Sequence, residues 1–389
     1  MPSSTLPPLS RGLLFAMAAA CGVAVANLYY NQPLLGLMTR AFGGDPLIGF
    51  APTATQLGYA LGLFFLVPLA DIADRRRLIV TLFGVLALCL VGLALATSAW
   101  MLLLASALVG VFSAVAQLIV PLAASLASPE KRGRAIGTVM SGLLCGLLFS
   151  RTLAGLVAVA WGWRAVFWLA VPLSLGMAAL MALVLPRAMP FHAMGYGRAL
   201  RSLGPLWLEE PVLRRATLLQ ACLFATFTGF WAVLAFRLEA FHLGADVAGL
   251  FGVVAAAGVF AAPLSGRLAD RRGPGLVLTL GAALVLASWL LFGLLPTVGG
   301  LVAGVVLLDF AVQSVLVSNQ HRIYALRPEA RGRLNTLFMT GMFSGGALGS
   351  AAANAAWGAW GWRGVCLVCG GLAFLALLQR GAEGRRRAG

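Results

Sequence analysis

The sequence predicts an all-α polytopic membrane protein, with twelve transmembrane helices in two pseudo-symmetric six-helix bundles. Three observations carry that prediction. Of the 389 residues, 61% are hydrophobic and 10% are charged, against roughly 25% charged in a soluble globular protein. Uncharged runs of about 20 residues, the length that crosses a bilayer core, recur along the whole chain. The second half of the chain also repeats the first at a fixed spacing.

The apolar runs place spans at 13–38, 47–70, 78–97, 100–126, 135–160, 163–185, 213–238, 246–266, 276–295, 299–324, 334–358 and 362–379. Runs of this length, rather than alternating ten-residue strands, exclude an outer-membrane barrel. Near the start, Arg11, the apolar stretch after it and 24-AVA-26 imitate a secretory signal, and 18-AAAC-21 imitates a lipoprotein site. The uncharged run continues to Arg40, too long for a signal core of 7–15 residues, so a retained first helix is expected. The six cysteines all fall in predicted spans, and the three histidines are not grouped with acids or cysteines at ligand spacing. Neither a metal site nor a cofactor is expected.

Charge placement sets the topology. A net charge of +16 would suit nucleic acid, but 23 of the 28 Lys and Arg lie on one set of alternating connections. These include 75-RRR-77, 131-KRGR-134, the 187–215 segment and 385-RRR-387. The opposite set holds Arg40, Arg164 and Arg363. Basic residues stay on the cytoplasmic side, so both termini and the long middle loop are expected to be cytoplasmic. Anionic headgroups are the expected neighbours of the basic loops, no nucleic acid is, and a monomer is expected.

The repeat is explicit. 129-PEKRGRAIGTVMSG-142 returns as 328-PEARGRLNTLFMTG-341, 161-WGWR-164 as 360-WGWR-363, and 69-LAD-71 as 268-LAD-270, each 199 residues later. From 129 to 164, 14 of 36 positions match their counterparts. The expected organisation is a six-helix bundle over 1–185, a cytoplasmic linker over 186–212 and a second bundle over 213–389.

This plan, and the motif 266-GRLADRRG-273 with its eroded first-half copy 67-VPLADIADRRR-77, resembles the major facilitator superfamily. The segments 27-NLYYNQPLL-35 and 309-DFAVQSVLVSNQHRIYAL-326 resemble its bacterial twelve-helix drug- or sugar-efflux permeases of the proton-antiporter type. The resemblance implies alternating access about a site near the bilayer midplane, a small-molecule substrate and protons as coupling ion. It also implies a conformational latch, carried onto Asp71 and Asp270 with Arg271. Ile72 stands where the family has arginine, so the run from Arg75 to Arg77 is the expected substitute. The alternative is a solvated topogenic loop; duplication of the motif favours the latch.

Polar residues inside spans cost free energy unless paired or wetted, so each is a functional candidate. Asn27, Tyr29, Tyr30, Asn31 and Gln32 precede Pro33 in the first span. Asn27, Tyr30 and Asn31 fall on one helical face, and the proline can open the helix. This cluster lines a cavity or bridges helices; its density favours the cavity. Gln56, Gln117, Gln313, Asn319 and Asn354 are further single amides, and Phe227 with Trp231 share a face that offers an aromatic wall. Among the acids, Asp309 alone lies deep in a span, roughly 15 Å from one end at 1.5 Å per residue. Desolvation penalises a charged carboxylate, which suits a group that takes and releases protons, so Asp309 is the proton-coupling candidate. A structural, permanently paired Asp309 is the rival.

Arg151 is the other anomaly. It lies roughly 24 Å into the fifth span, where insertion costs about 2.5–3.5 kcal/mol, with no acid three or four residues away. Related antiporters carry G-P-x-x-G-G in this helix, and 150-SRTLAG-155 stands in its place with Arg151 at the proline position. The intramembrane arginine of the fourth span is replaced by Ser106. Three partners remain open to Arg151: Asp309, the polar groups of the first span, or an anionic substrate; the alternative is a purely structural arginine bonded to helix-end carbonyls. Arg40 and Glu239, 199 residues apart at the ends of spans 1 and 7, are expected as two solvated charges.

Proton-coupled export of small amphipathic molecules or drugs is the leading functional expectation. The alternative is a proton symporter or facilitator for a neutral nutrient such as a sugar. A channel is disfavoured by the two-half repeat. An enzyme is disfavoured because no nucleophile–base pairing or phosphate-binding loop appears.

Overall fold

The computed structural model describes residues 10–128, 131–186, 195–255, 264, 267–268, 271–327 and 330–388, with backbone alone at 71 and 384–388. Among the described residues no strand occurs, and nine helices are long and apolar enough to cross a membrane. The first span is split into α1 (Arg11–Ala26) and α2 (Leu35–Ala41), joined through a 3₁₀ turn at Gln32–Leu34. The second, Pro46–Ala70, has α3 (Ala51–Phe65) at its centre. Next come α4 (Arg75–Ala94), α5 (Ala99–Ser113) continuing into α6 (Ala116–Leu126), α7 (Arg132–Trp161) and α8 (Trp163–Val184).

Two short helices, α9 (Tyr196–Arg201) and α10 (Leu203–Glu209), lead into the second bundle. There α11 (Pro211–Glu239) is the seventh span and α12 (Ala245–Val254) the described part of the eighth. They are followed by α13 (Pro274–Leu294), α14 (Val298–Tyr324) and α15 (Arg331–Ala388). The last helix carries two spans, because Gly361 breaks it with φ 59° and ψ −151°. With the split first span and this double helix, the twelve spans are accounted for.

The repeated W-G-W-R is the turn between the last two spans of each half. Gly162 has φ 83° and Gly361 φ 59°, a left-handed backbone that side chains resist. The tryptophans after the two glycines are buried, while Trp161 and Trp360 before them point outward, 75% and 70% exposed. Outward tryptophans at span ends are the anchors that a membrane–water boundary favours. Arg164 donates to the Ala96 carbonyl at 2.9 Å. Trp362 donates to that of Phe292 at 3.0 Å.

Apolar surface cannot select helix partners in lipid, so close packing of small residues does. In the first half α1 lies on α7 at Gly22, Gly142 and Gly146; a methyl on Gly22 would sit 2.6 Å from the Gly142 carbonyl oxygen. The halves meet along two crossings, α7 against α12 and α15 against α3. For reference, the basic face is the end bearing Arg75–Arg77 and Lys131, and the far face is the end bearing Arg40 and Glu239.

Candidate functional site

The first span opens where its polar residues gather. From Asn27 to Asn31 the backbone turns out of the α-helix. The amides of Leu28 and Tyr29 bond to the carbonyls three residues back, both at 3.0 Å. Pro33, with no N–H to give, lies in the 3₁₀ turn that follows. Opening the helix changes which side chains share a direction. Gln32 and Tyr29 both reach Arg151 on α7.

Arg151 is 1% exposed. Its Nε donates to Gln32 Oε1 at 2.7 Å. Its guanidinium carbon lies 3.8 Å from the centroid of the Trp231 ring and 4.7 Å from that of Tyr29. A desolvated cation–π contact contributes about 2 kcal/mol, so two rings and one hydrogen bond roughly offset the insertion cost of about 2.5–3.5 kcal/mol. The arginine is thus tolerated without a touching acid, but its charge is not cancelled. Its Nη2 has no hydrogen-bond partner.

Asp309 on α14 is 5% exposed, and its Oδ2 likewise lacks a partner. Among the described residues no ion pair within 4.0 Å joins it to Arg151, yet Arg151, Asp309 and Tyr29 interact electrostatically. Asp309 is eleven residues from Val298 and Arg151 ten from Trp161, so both lie about 15 Å from the far-face helix ends at 1.5 Å per residue. One charge comes from each half, at one depth.

Beside Arg151 runs a cleft between the halves, lined by Gln32, Pro33, Arg151, Trp231, Leu234 and Ala248. It holds about 160 Å³ of empty space and is too constricted for a water molecule. From Trp231 the aromatic run continues to Phe227 at 6.3 Å and on to Phe224 at 5.4 Å between ring centroids.

The other sequence candidates are dispersed. Asn27 donates to its own helix at Val23, 2.8 Å, and Asn31 to Thr55 Oγ1, 3.0 Å. Gln117 donates to the Tyr59 hydroxyl at 3.1 Å, and Asn319 to Gln220 at 3.3 Å. Those last two pairs tie helices within a single bundle. Tyr30 and Gln56 are buried and Gln313 half-buried. At the basic face Arg75 donates to the Ala70 carbonyl at 3.0 Å and Arg271 is exposed; Asp270 and the side chain of Asp71 lie outside the described residues.

The far-face charges differ from expectation. Arg40 and Glu239 are not two solvated groups but an ion pair, Nη1 to Oε1 2.7 Å. The Glu239 carboxylate packs over Gly36, whose missing side chain leaves the room for it. The pair joins the first helix of one half to the first helix of the other. Tyr29, too, is a site residue that helical periodicity passes over, because the periodicity stops at Asn27. At the basic face Arg322 pairs with Glu383 at 3.2 Å, and Arg380 contacts the same carboxylate; nothing in the local sequence signals that cluster.

The chain is similar to known transporters along nearly its full length. It is 44% identical over 378 residues to the uncharacterized transporter YgaY of Escherichia coli O157:H7, covering 95% of each chain. It is 30% identical over 298 residues to the chloramphenicol resistance protein of Streptomyces lividans, covering 72% of this chain and 66% of that one. Its fold is similar to the crystal structure of a bacterial homolog of the human lysosomal transporter Spinster, in an inward-facing and unoccupied conformation. That likeness has a TM-score of 0.76 at 16% identity and covers 98% of this chain and 97% of that one. The sequence model of the Major Facilitator Superfamily matches residues 14–328 and again 216–382. With two homologous bundles closing on a buried cleft, the chain belongs to the Major Facilitator Superfamily of membrane transporters.

Proposed function

We propose that the chain exports small amphipathic molecules across the bacterial inner membrane by alternating access, driven by protons. The bundles 1–185 and 213–389 rock about the cleft, and the linker 186–212 stays with the basic, cytoplasmic face. The observation that carries the reading is the pair Arg151 and Asp309. They come from opposite halves at one depth, each buried, each with a polar atom lacking a partner. A charge pair set across the moving interface changes its energy as the halves move, which is what coupling requires. Asp309 is the proton carrier in this account, Gln32, Arg151 and Trp231 hold the substrate, and the Arg40–Glu239 pair closes the far, periplasmic face. Similarity to a chloramphenicol resistance protein supports export.

The test is growth of a strain overexpressing the chain on a panel of toxic compounds, with and without a proton uncoupler. Protection that the uncoupler abolishes supports the reading; no protection from any compound, alongside measurable nutrient uptake, overturns it. That second outcome would favour uptake of a neutral hydroxylated nutrient such as a sugar. Asn27 Oδ1, Asn31 Oδ1 and both polar atoms of Gln56 are buried without partners, and hydroxyl donors would satisfy the acceptors among them.

A further inference from the structure

We propose that the transported molecule is a carboxylic acid whose carboxylate is received by the free edge of the Arg151 guanidinium. The proposal rests on the transporter reading above and adds the chemical class of its substrate.

The geometry restricts what Arg151 can take. Trp231 and Tyr29 lie against the guanidinium, their ring centroids 3.8 and 4.7 Å from its central carbon. Its Nε is committed to Gln32 at 2.7 Å. Its Nη2 is buried and unpartnered, on a side chain lining a cleft that has to widen, as the halves part, before a ligand reaches it. The N–H groups of Nη2 are charge-assisted donors suited to a carboxylate oxygen. A neutral ligand would leave Arg151 with only the longer-range interaction of Asp309 as counter-charge, whereas an acid pairs it directly. The remaining walls, Pro33, Trp231, Leu234 and Ala248, carry no charge, so Arg151 supplies the ionic recognition. Phe227 and Phe224, both buried, continue the aromatic run beyond Trp231.

Among the described residues Asp309 makes no ion pair with Arg151 within 4.0 Å; it interacts with it at longer range. A second carboxylate arriving at Arg151 competes with Asp309 for one cation. Acid binding is therefore strongest when Asp309 carries a proton.

The test uses the full chain purified in detergent and three acids, acetate, benzoate and octanoate, each beside its uncharged amide. Binding is measured as ligand-induced thermal stabilisation and by isothermal titration. At least one acid should bind the wild-type chain at least tenfold more tightly than its amide. Arg151→Gln should remove that preference, Arg151→Lys should keep part of it, and Asp309→Asn should hold or strengthen acid binding. Without ligand, Arg151→Gln should melt close to wild type, because the contacts it loses roughly offset the insertion cost it removes, and this also shows that the variant folds. Equal binding of acids and amides, no acid binding at all, or unchanged acid binding by Arg151→Gln would overturn the proposal. So would loss of acid binding in Asp309→Asn. Transport by the same preparation in proteoliposomes is read separately. Transport without acid preference ends this inference alone, whereas acid binding without transport ends the transporter reading.

Discussion

Where α15 crosses α3, Ser350 and Thr53 share a hydrogen bond of 2.8 Å. In the equivalent crossing, α7 on α12, the positions 199 residues away hold Arg151 and Gly252. One crossing is closed by two small hydroxyls that satisfy each other. The other is closed by a glycine that makes room, so that a methyl at Gly252 would sit 3.1 Å from Arg151 Cβ. The same exchange recurs one turn on, where Asn354 fills the place equivalent to Gly155 and packs over Gly49. The duplicated scaffold gives each half a matching crossing, and a few side chains make one neutral and leave a buried charge beside the other.

The largest effect should come from filling the room on the charged side. A methyl at Gly249 would lie 2.7 Å from the Arg151 carbonyl oxygen and 3.2 Å from the Thr152 Cα. Gly249→Val therefore overpacks backbone against backbone, costing about 1–3 kcal/mol. It should lower the melting temperature in detergent and abolish transport together. Next, Arg151→Gln should weaken substrate binding at least tenfold, about 1.4 kcal/mol, at a melting temperature close to wild type. A matching fall in melting temperature would make Arg151 a structural residue and erase the contrast between the crossings.

On the neutral side the expected effects are smaller. Thr53→Val removes one hydrogen bond, while Ser350 keeps its bond to the Ala347 carbonyl at 3.0 Å. The cost should be about 1 kcal/mol in thermal unfolding, with substrate specificity unchanged. Smallest is Glu239→Gln. Arg40 is 62% exposed and Glu239 32%, so the pair contributes about 0–1 kcal/mol after screening. Its loss should instead open the far face more often, read as faster modification by a water-soluble thiol reagent of a cysteine placed at Ala235. An unchanged labelling rate would remove the pair from the gate.

The fold was legible because its signals are coarse and redundant: apolar run length, basic loops on alternate connections, and motifs that repeat 199 residues apart. W-G-W-R even marked the two turns that need a glycine at positive φ. The site was legible only in part. Arg151 and Asp309 stood out because charge is rare in a span, and Gln32 and Trp231 were in view as polar and aromatic neighbours. Tyr29 was hidden by its own helix, since a 3.6-residue period no longer applies once the backbone opens after Ala26. The Arg40–Glu239 pair was hidden for a different reason. Sequence places each residue at a helix end but carries no distance between ends that belong to different halves. Asn319 and Gln117 carried the same polar signal as the cleft residues, yet bond within single bundles. A buried amide alone does not say which helix it answers.

Asp309→Asn, reconstituted in proteoliposomes under an imposed proton gradient, tests the central claim that the two charged residues couple protons to substrate. The account predicts that the variant loses gradient-driven uphill transport while exchange of substrate across the membrane continues. Undiminished uphill transport by Asp309→Asn would contradict it.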